Sequence, residues 1–322
     1  MDHSKVIFER FAEAGGTFID TADTYQQGES ETFLKEFLAA DREHFTVASK
    51  FSYGTAGQTG FSKTGNSRKT IRHALDRTLT RLGTDYVDIY WAHSPDFLTP
   101  IEEIVEALDD LVRAGKILAG GLSNFPAWQA SSAVVHALAN GRSPIVGVQF
   151  EYSLATRDGE RDLIPMADHF GLAAAMYSPL GGGLLTGKYR QSADGRLTTM
   201  NSIIQREDTT QKSAVVDELL AIAEETGATP AELSIAWMLA RGAQLSTTAI
   251  PIIGPRTIEQ LDSYLKALDV TLTSDQFDRL SLVSAPELGI PHMTNDAPQL
   301  QGVLGISPDE IRTADGHAPG RR

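Results

Sequence analysis

Short β-branched runs alternate with longer helical patterns along this chain. The strand-like runs fall at 17–22, 45–50, 86–93, 117–124, 145–152, 172–180 and 247–253. Most begin roughly 30 residues apart, the length of one strand, loop, helix and return. Alternation at that spacing predicts parallel strands joined by helical crossovers. Between the runs the apolar period changes. Ile101, Ile104, Val105, Leu108, Leu111 and Val112 make one helical face that Gly115 ends, and Ile71, Ala74, Leu75, Leu79 and Leu82 stripe another that Gly83 terminates. Thr99-Pro100-Ile101-Glu102 and Thr229-Pro230-Ala231-Glu232 both read as capping boxes with proline at the first helical position, the second helix stopping at Gly242. Further helices are expected at 4–14, 29–40, 126–139, 160–170, 212–226 and 258–268.

Two architectures fit this alternation, an open doubly wound sheet and a closed barrel. The open sheet usually carries G-x-G-x-x-G after its first strand. None is present, and Gly181-Gly182-Gly183 comes late and without that spacing. The pattern therefore predicts a TIM-type (β/α)8 barrel. Taking 247–253 as the eighth strand makes 17–22 the second. The barrel is then expected to lack its first strand, with seven strands against eight ring helices plus extra helices, and with two unpaired edges. Residues 1–284 form the expected barrel domain. Residues 285–322, rich in Pro, Gly and Asp, are the expected loop and tail, disordered at the end.

Composition narrows the function. Of the 322 residues 41% are hydrophobic and 22% charged, an ordinary balance for a folded domain. The net charge of −14 argues against nucleic acid or an anionic membrane surface as the main partner. The absence of cysteine removes disulfides, thiolate metal sites and thiol nucleophiles. With no long apolar run or leader-like start, the cytoplasm is the expected compartment.

In a barrel the chemistry sits where strands end. Those ends carry Asp20 with Tyr25 just beyond, Lys50, His93, Ser123 and Asn124, Gln149, and Tyr177-Ser178-Pro179-Leu180. Singly each has a structural reading: Asp20 can cap a turn, Lys50 can reach solvent, His93 can sit in a loop, Tyr25 can pack on the rim. Together an acid, a base and an imidazole come from three consecutive strands, with a phenol beside the first. Those types suit carbonyl reduction. A developing alkoxide needs a proton, and a phenol with a free pKa near 10 supplies it only if that pKa falls. A neighbouring ammonium lowers it, and a carboxylate holds the ammonium charged. An imidazole can polarise the carbonyl oxygen.

The quartet Asp20, Tyr25, Lys50 and His93 resembles the catalytic tetrad of the aldo-keto reductase family. Its setting matches too, in Gly-Gly-Thr-Phe-Ile-Asp20-Thr-Ala-Asp-Thr-Tyr25 and Arg81-Leu-Gly-Thr-Asp-Tyr-Val-Asp-Ile-Tyr-Trp-Ala-His93, and the likeness runs from about residue 4 to 284. The resemblance implies an NADPH-dependent reductase of aldehydes or ketones. Tyr25 would be the acid, Lys50 and Asp20 its tuning pair, and His93 the group that orients the substrate. It further implies that Ser123, Asn124 and Gln149 hold the nicotinamide carboxamide and that Tyr177 stacks on the ring. Ser178, Leu180, Gly182 and Lys188 belong to the loop that would wrap the pyrophosphate, where glycine lets backbone amides approach an anion. Gly254, Arg256 and Gln260 open a helix, a natural anion site, with Arg256 paired to the 2′-phosphate. Where the family has Glu-Asn for the adenine, this chain has Ser263-Tyr264, which leaves Tyr264 as a possible stacking ring. Members normally begin several tens of residues earlier, so the sequence is expected to start short of the first strand. Specificity is expected from 52–66, 189–211 and the stretch beyond Leu288. The rivals are a non-enzymatic nucleotide-sensing relative on the same barrel, and a barrel hydrolase, which would need paired carboxylates or a metal cluster at strand ends.

Overall fold

The computed structural model describes residues 2–55, 57, 60, 62–190 and 206–294, together with Val303 and Gly305. Seven strands form one parallel sheet in sequence order: β1 Phe18–Asp20, β2 Thr46–Phe51, β3 Val87–Ala92, β4 Ile117–Ser123, β5 Ile145–Glu151, β6 Ala173–Tyr177 and β7 Ala249–Ile252. The sheet curls into a nearly closed barrel of the (β/α)8 type. Among the described residues no strand joins β1 to β7, so the two form a seam.

Among the described residues the α-helices are α1 Asp2–Glu13, α2 Glu29–Leu38, α3 Arg68–Leu82, α4 Ile101–Arg113, α5 Ala127–Ala139, α6 Leu163–Phe170, α7 Thr210–Thr226, α8 Pro230–Gly242, α9 Ile258–Lys266 and α10 Ser274–Val283. Eight ring the sheet, and α7 and α10 pack on each other as extras. Outside the seam α1 packs against both α2 and α9, with Phe8 against Phe37 and Phe45 at ring separations of 5.3 and 5.1 Å.

Strand alternation explains the two layers. Outward residues such as Val47, Phe51, Tyr90 and Leu122 join the core beneath the helices. Inward ones fill the lumen, where Ala48, Trp91 and Ala175 cluster with Phe18, Ile89 and Ile252. Trp91 is the large member, and it needs glycine opposite. A Cβ on Gly121 would lie 2.2 Å from the indole, and one on Gly147 would lie 3.2 Å from it. The polar groups named above occupy the next inward layer, towards the C-terminal strand ends.

Some local expectations need correction. The box at Thr229 forms, with its side chain accepting from Glu232 N–H and the Glu232 carboxylate accepting from Thr229 N–H. The one at Thr99 does not. Asp96 accepts from the Thr99 N–H and hydroxyl, both at 2.8 Å, and α4 starts with Pro100 as its N-cap. The helix expected at 160–170 begins only at Leu163, because Glu160 is drawn to Arg157 and Tyr152 in a preceding 3-10 turn. No helix was expected at 274–283, yet α10 forms there, capped by Thr273 and Gln276. The final tail expected to be disordered, and most of the segment expected at 189–211, lie outside the described residues.

Candidate active site

Each strand delivers its polar residue where the barrel opens. The Asp20 carboxylate, 5% exposed, ends β1, and Lys50, fully buried, lies on neighbouring β2. Lys50 Nζ donates to Asp20 Oδ2, to the Thr21 carbonyl at 2.8 Å and to the Tyr25 hydroxyl at 3.2 Å. A buried ammonium costs several kcal/mol unless paired, roughly, and here three oxygens surround it. Tyr25 itself is 38% exposed, so the phenol meets solvent on one side and the ammonium on the other.

The network continues across the lumen. Gln149 Nε2 donates to Asp20 Oδ1 at 2.9 Å, and Ser123 Oγ donates to Gln149 Oε1 at 3.5 Å. Asn124 Nδ2 donates to Ser123 Oγ at 3.1 Å and to the His93 carbonyl at 2.9 Å, and Asn124 Oδ1 accepts from the Tyr177 hydroxyl at 2.8 Å. Six strand ends are thereby tied to one another. Asn124 and Ser178 hold positive φ angles of 61° and 57°, a left-handed conformation that costs a non-glycine residue and recurs at functional sites.

His93 follows β3, with its ring 6.1 Å from that of Tyr25 and 4.5 Å from that of Tyr53. Burial above all, and then the Lys50 charge, hold its pKa down to about 3. The imidazole is therefore neutral across the ordinary assay range and carries one N–H donor. Its Nδ1 is buried with no hydrogen-bond partner among the described residues. Burial pushes Tyr177 up to about 12, helped by Glu151, Tyr53 and Tyr25, so its hydroxyl stays a neutral donor to Asn124.

The later segments gather nearby. Leu180 turns its side chain into a cluster with Ala231, Ile235 and Ala267, and its carbonyl accepts from the N–H groups of Gly183 and Leu185 at 2.9 and 3.2 Å. Tyr264 packs against the same cluster. Gly181, Gly182 and Gly183 run with φ of 53°, 66° and 100°, a sequence of left-handed residues that only glycine adopts freely. A Cβ on Gly183 would lie 3.3 Å from Lys188 Nζ, so ammonium and glycine backbone adjoin. At the start of α9 the Arg256 N–H donates to Gln260 Oε1 at 2.8 Å, and the Arg256 side chain is exposed. Gln260 thus braces the turn, and Ser263 Oγ donates to Glu232 Oε1 at 3.3 Å.

Two features escaped the sequence reading. Tyr53, 45% exposed, stands against His93, within the loop expected to set specificity but not singled out. Beside it a cavity of about 550 Å3 opens, lined by Tyr53, Gly65, Ser94, Leu98 and Thr99 among others. The second is a buried acidic group behind Tyr25, taken up below. Among the described residues no helix is long and apolar enough to cross a membrane, and no three His, Cys, Asp or Glu side chains converge as metal ligands.

The sequence model of the Aldo/keto reductase family matches residues 1–284. The aryl-alcohol dehydrogenase (NADP+) of Phanerodontia chrysosporium is 33% identical over 307 residues, 89% of this chain and 77% of its own length. Norsolorinic acid reductase stcV of Emericella nidulans is 32% identical over 291 residues, covering 88% of this chain and 73% of its own. Aldo-keto reductase ausK of Aspergillus calidoustus is 30% identical over 304 residues, covering 90% and 75%. The chain belongs to the aldo/keto reductase family, and with it to the carbonyl-reducing oxidoreductases.

Proposed function

We propose that this protein reduces aldehydes or ketones with NADPH, Tyr25 acting as the general acid. The observation that carries the reading is the placement of the Lys50 ammonium between the Asp20 carboxylate and the Tyr25 hydroxyl. That placement sets a cation within hydrogen-bond reach of the phenol oxygen, beside the atom whose proton the substrate would take. Asp20 pairs with Lys50 through one carboxylate oxygen, and Gln149 fixes the other. Neutral His93 donates a hydrogen bond to the substrate oxygen without competing as the acid.

The residues present fit the cofactor. Left-handed glycines run beside Lys188, so a backbone stripped of side chains and a cation adjoin, an arrangement that suits a pyrophosphate. Ser178, Leu180 and Gly182 would contribute backbone there, and Gly254, Arg256 and Gln260 would hold the 2′-phosphate end. Ser123, Asn124 and Gln149 offer the donors and acceptors a carboxamide needs, and Tyr177 offers a ring to the nicotinamide. When bound, NADPH supplies the hydride. The NADP+ in one relative's name supports this choice over NADH. The half-exposed rings of Tyr25 and Tyr53 beside His93, and the aryl-alcohol names among the relatives, favour aromatic carbonyl compounds as substrates.

The test is Tyr25→Phe, assayed by NADPH consumption on a panel of aromatic aldehydes. Removing a general acid lowers kcat by about 10²–10⁴-fold, while NADPH affinity stays near that of the wild type. A variant that keeps most of the rate refutes the assignment.

A further inference from the structure

Between the sheet and helices α2 and α3, directly behind Tyr25, lies a buried polar cluster for which the reduction chemistry has no use. Asp23, 3% exposed, is at its centre, and its Oδ1 accepts no hydrogen bond among the described residues. Facing it from α2 is Glu31, fully buried, whose carboxylate accepts from Ser49 Oγ at 2.5 Å and from Arg81 Nε at 2.6 Å. Arg81 and Arg77 face it from α3, and the buried phenol of Tyr90 faces it from β3.

This cluster grips both ends of the segment that carries the acid. Upstream, the Asp23 N–H donates to the Lys50 carbonyl at 3.3 Å. Downstream, the chain turns through Gln26, Gln27 and Gly28 with φ of 45°, 59° and 96°, and a Cβ on Gly28 would lie 3.0 Å from Arg81 Cδ. Consecutive left-handed residues persist only where their surroundings over-determine them. Tyr25 stands between these two anchors, and Arg81 touches both the Glu31 that faces Asp23 and the Gly28 turn.

We propose that Asp23, seated against Glu31 and Arg81, is a positioning residue for Tyr25: with its proton on, it holds the Tyr25–Gly28 turn where the phenol meets Lys50, and with its proton off, it loosens that turn. The proposal rests on the assignment of Tyr25 as the acid. A second buried carboxylate beside Glu31 is repelled by it, and the Arg81 guanidinium is already hydrogen-bonded to Glu31. Burial first, and the Glu31 charge second, raise the Asp23 pKa to about 7, with Arg81, Arg77 and the Thr24 N–H pulling it down. Asp23 is therefore neutral below neutrality and ionises as the pH rises through about 7. The sign for stability follows. An acid whose folded pKa is raised contributes stability that is fully present below its unfolded pKa, about 3.9, and lost as the pH climbs towards its folded value.

The experiment compares kcat and KM of the wild type, Asp23→Asn and Glu31→Gln from about pH 5 to about pH 9, with thermal melts over the same range. Asparagine copies the protonated carboxyl and cannot ionise. The wild-type kcat should show an inflection near pH 7, falling on the alkaline side, that Asp23→Asn lacks while KM stays within about twofold. Glu31→Gln should move the inflection to lower pH, since one raising charge is gone. The wild type should also lose thermal stability relative to Asp23→Asn as the pH rises to neutrality. A wild type without the inflection overturns the proposal, as does an Asp23→Asn profile that overlays the wild type or lies below it by one constant factor. If Asp23→Asn does not fold, an unmoved inflection in Glu31→Gln overturns it equally. A fully active Tyr25→Phe would instead strike the reading of Tyr25 as the acid, whereas an inactive Tyr25→Phe beside an unshifted Asp23→Asn profile would sink the positioning role alone.

Discussion

The barrel has a closed wall and an open seam, and the two are built differently. In the wall, β2 to β5, Val47, Val87, Tyr90 and Leu122 are fully buried, and the lumen is filled by Trp91 set against two glycines. At the seam every residue of β1 and of β7 is only half-buried, and β1 pairs with β2 over just three positions. The wall is held by packing. The seam strand β1 is held by polar links from the site itself: Lys50 and Gln149 both reach Asp20, and among the described residues no strand pairs with its other side. The candidate acid–base cluster therefore also fastens the loosest strand, so chemistry and closure share the same hydrogen bonds.

The largest expected effect breaks the wall. Trp91→Ala should cost about 3–5 kcal/mol in urea denaturation, the loss for a large buried aromatic with a cavity left behind. Phe18→Ala, the lumen residue on the seam strand, should cost only about 1–2 kcal/mol, since the ring already keeps part of its exposure. Equal costs would mean the seam is as tightly packed as the wall. Next, Arg256→Ala acts at the turn that leaves seam strand β7. It should weaken NADPH binding by about 1–3 kcal/mol, roughly fivefold to 150-fold, and leave NADH binding nearly unchanged. Titration with both dinucleotides decides this, and equal losses would place Arg256 against a group the two share. The smallest effect tests the helix that feeds the seam. Thr229→Ala removes one half of the capping box and should lower stability by about 1 kcal/mol. Native-state hydrogen exchange should quicken in α8 and β7 while β3 and β4 stay protected, and uniform quickening would deny the seam its independence.

The wall and the site were the legible parts of the sequence. Strand runs repeat at a fixed spacing, and a barrel gathers its strand ends at one mouth, which is how Asp20, Lys50 and Gln149 could be placed on one face. The Thr229 box was legible because nothing nearby competes for its donors. Thr99 carries the same signature, yet the Asp96 carboxylate lies three residues upstream and captures it, an outcome set by a side chain outside the motif. Helix α10 was missed because its ten residues show Phe277, Leu280 and Val283 among polar ones, too short a stripe to stand out, although Thr273 and Gln276 carried the start signal. The Asp23 cluster was not legible at all. It needs α2, α3, β2 and β3 to bring Glu31, Arg81, Ser49 and Tyr90 to one point, and no local pattern records a meeting of four elements.

The two ends of the ring also meet without a shared strand. Across the seam His3 Nε2 donates to the Arg256 carbonyl at 2.5 Å, and Arg10 Nε donates to Asp262 Oδ1 at 2.9 Å, the latter between side chains 41% and 38% exposed. Only the Arg10–Asp262 half of this clasp is an ion pair, worth about 0–1 kcal/mol between exposed side chains and weakened further as added salt screens it. The cylinder thus has a buckle with two prongs: one is tighter in dilute buffer and slacker in brine, and the other, the hydrogen bond from His3, holds the Arg256 turn.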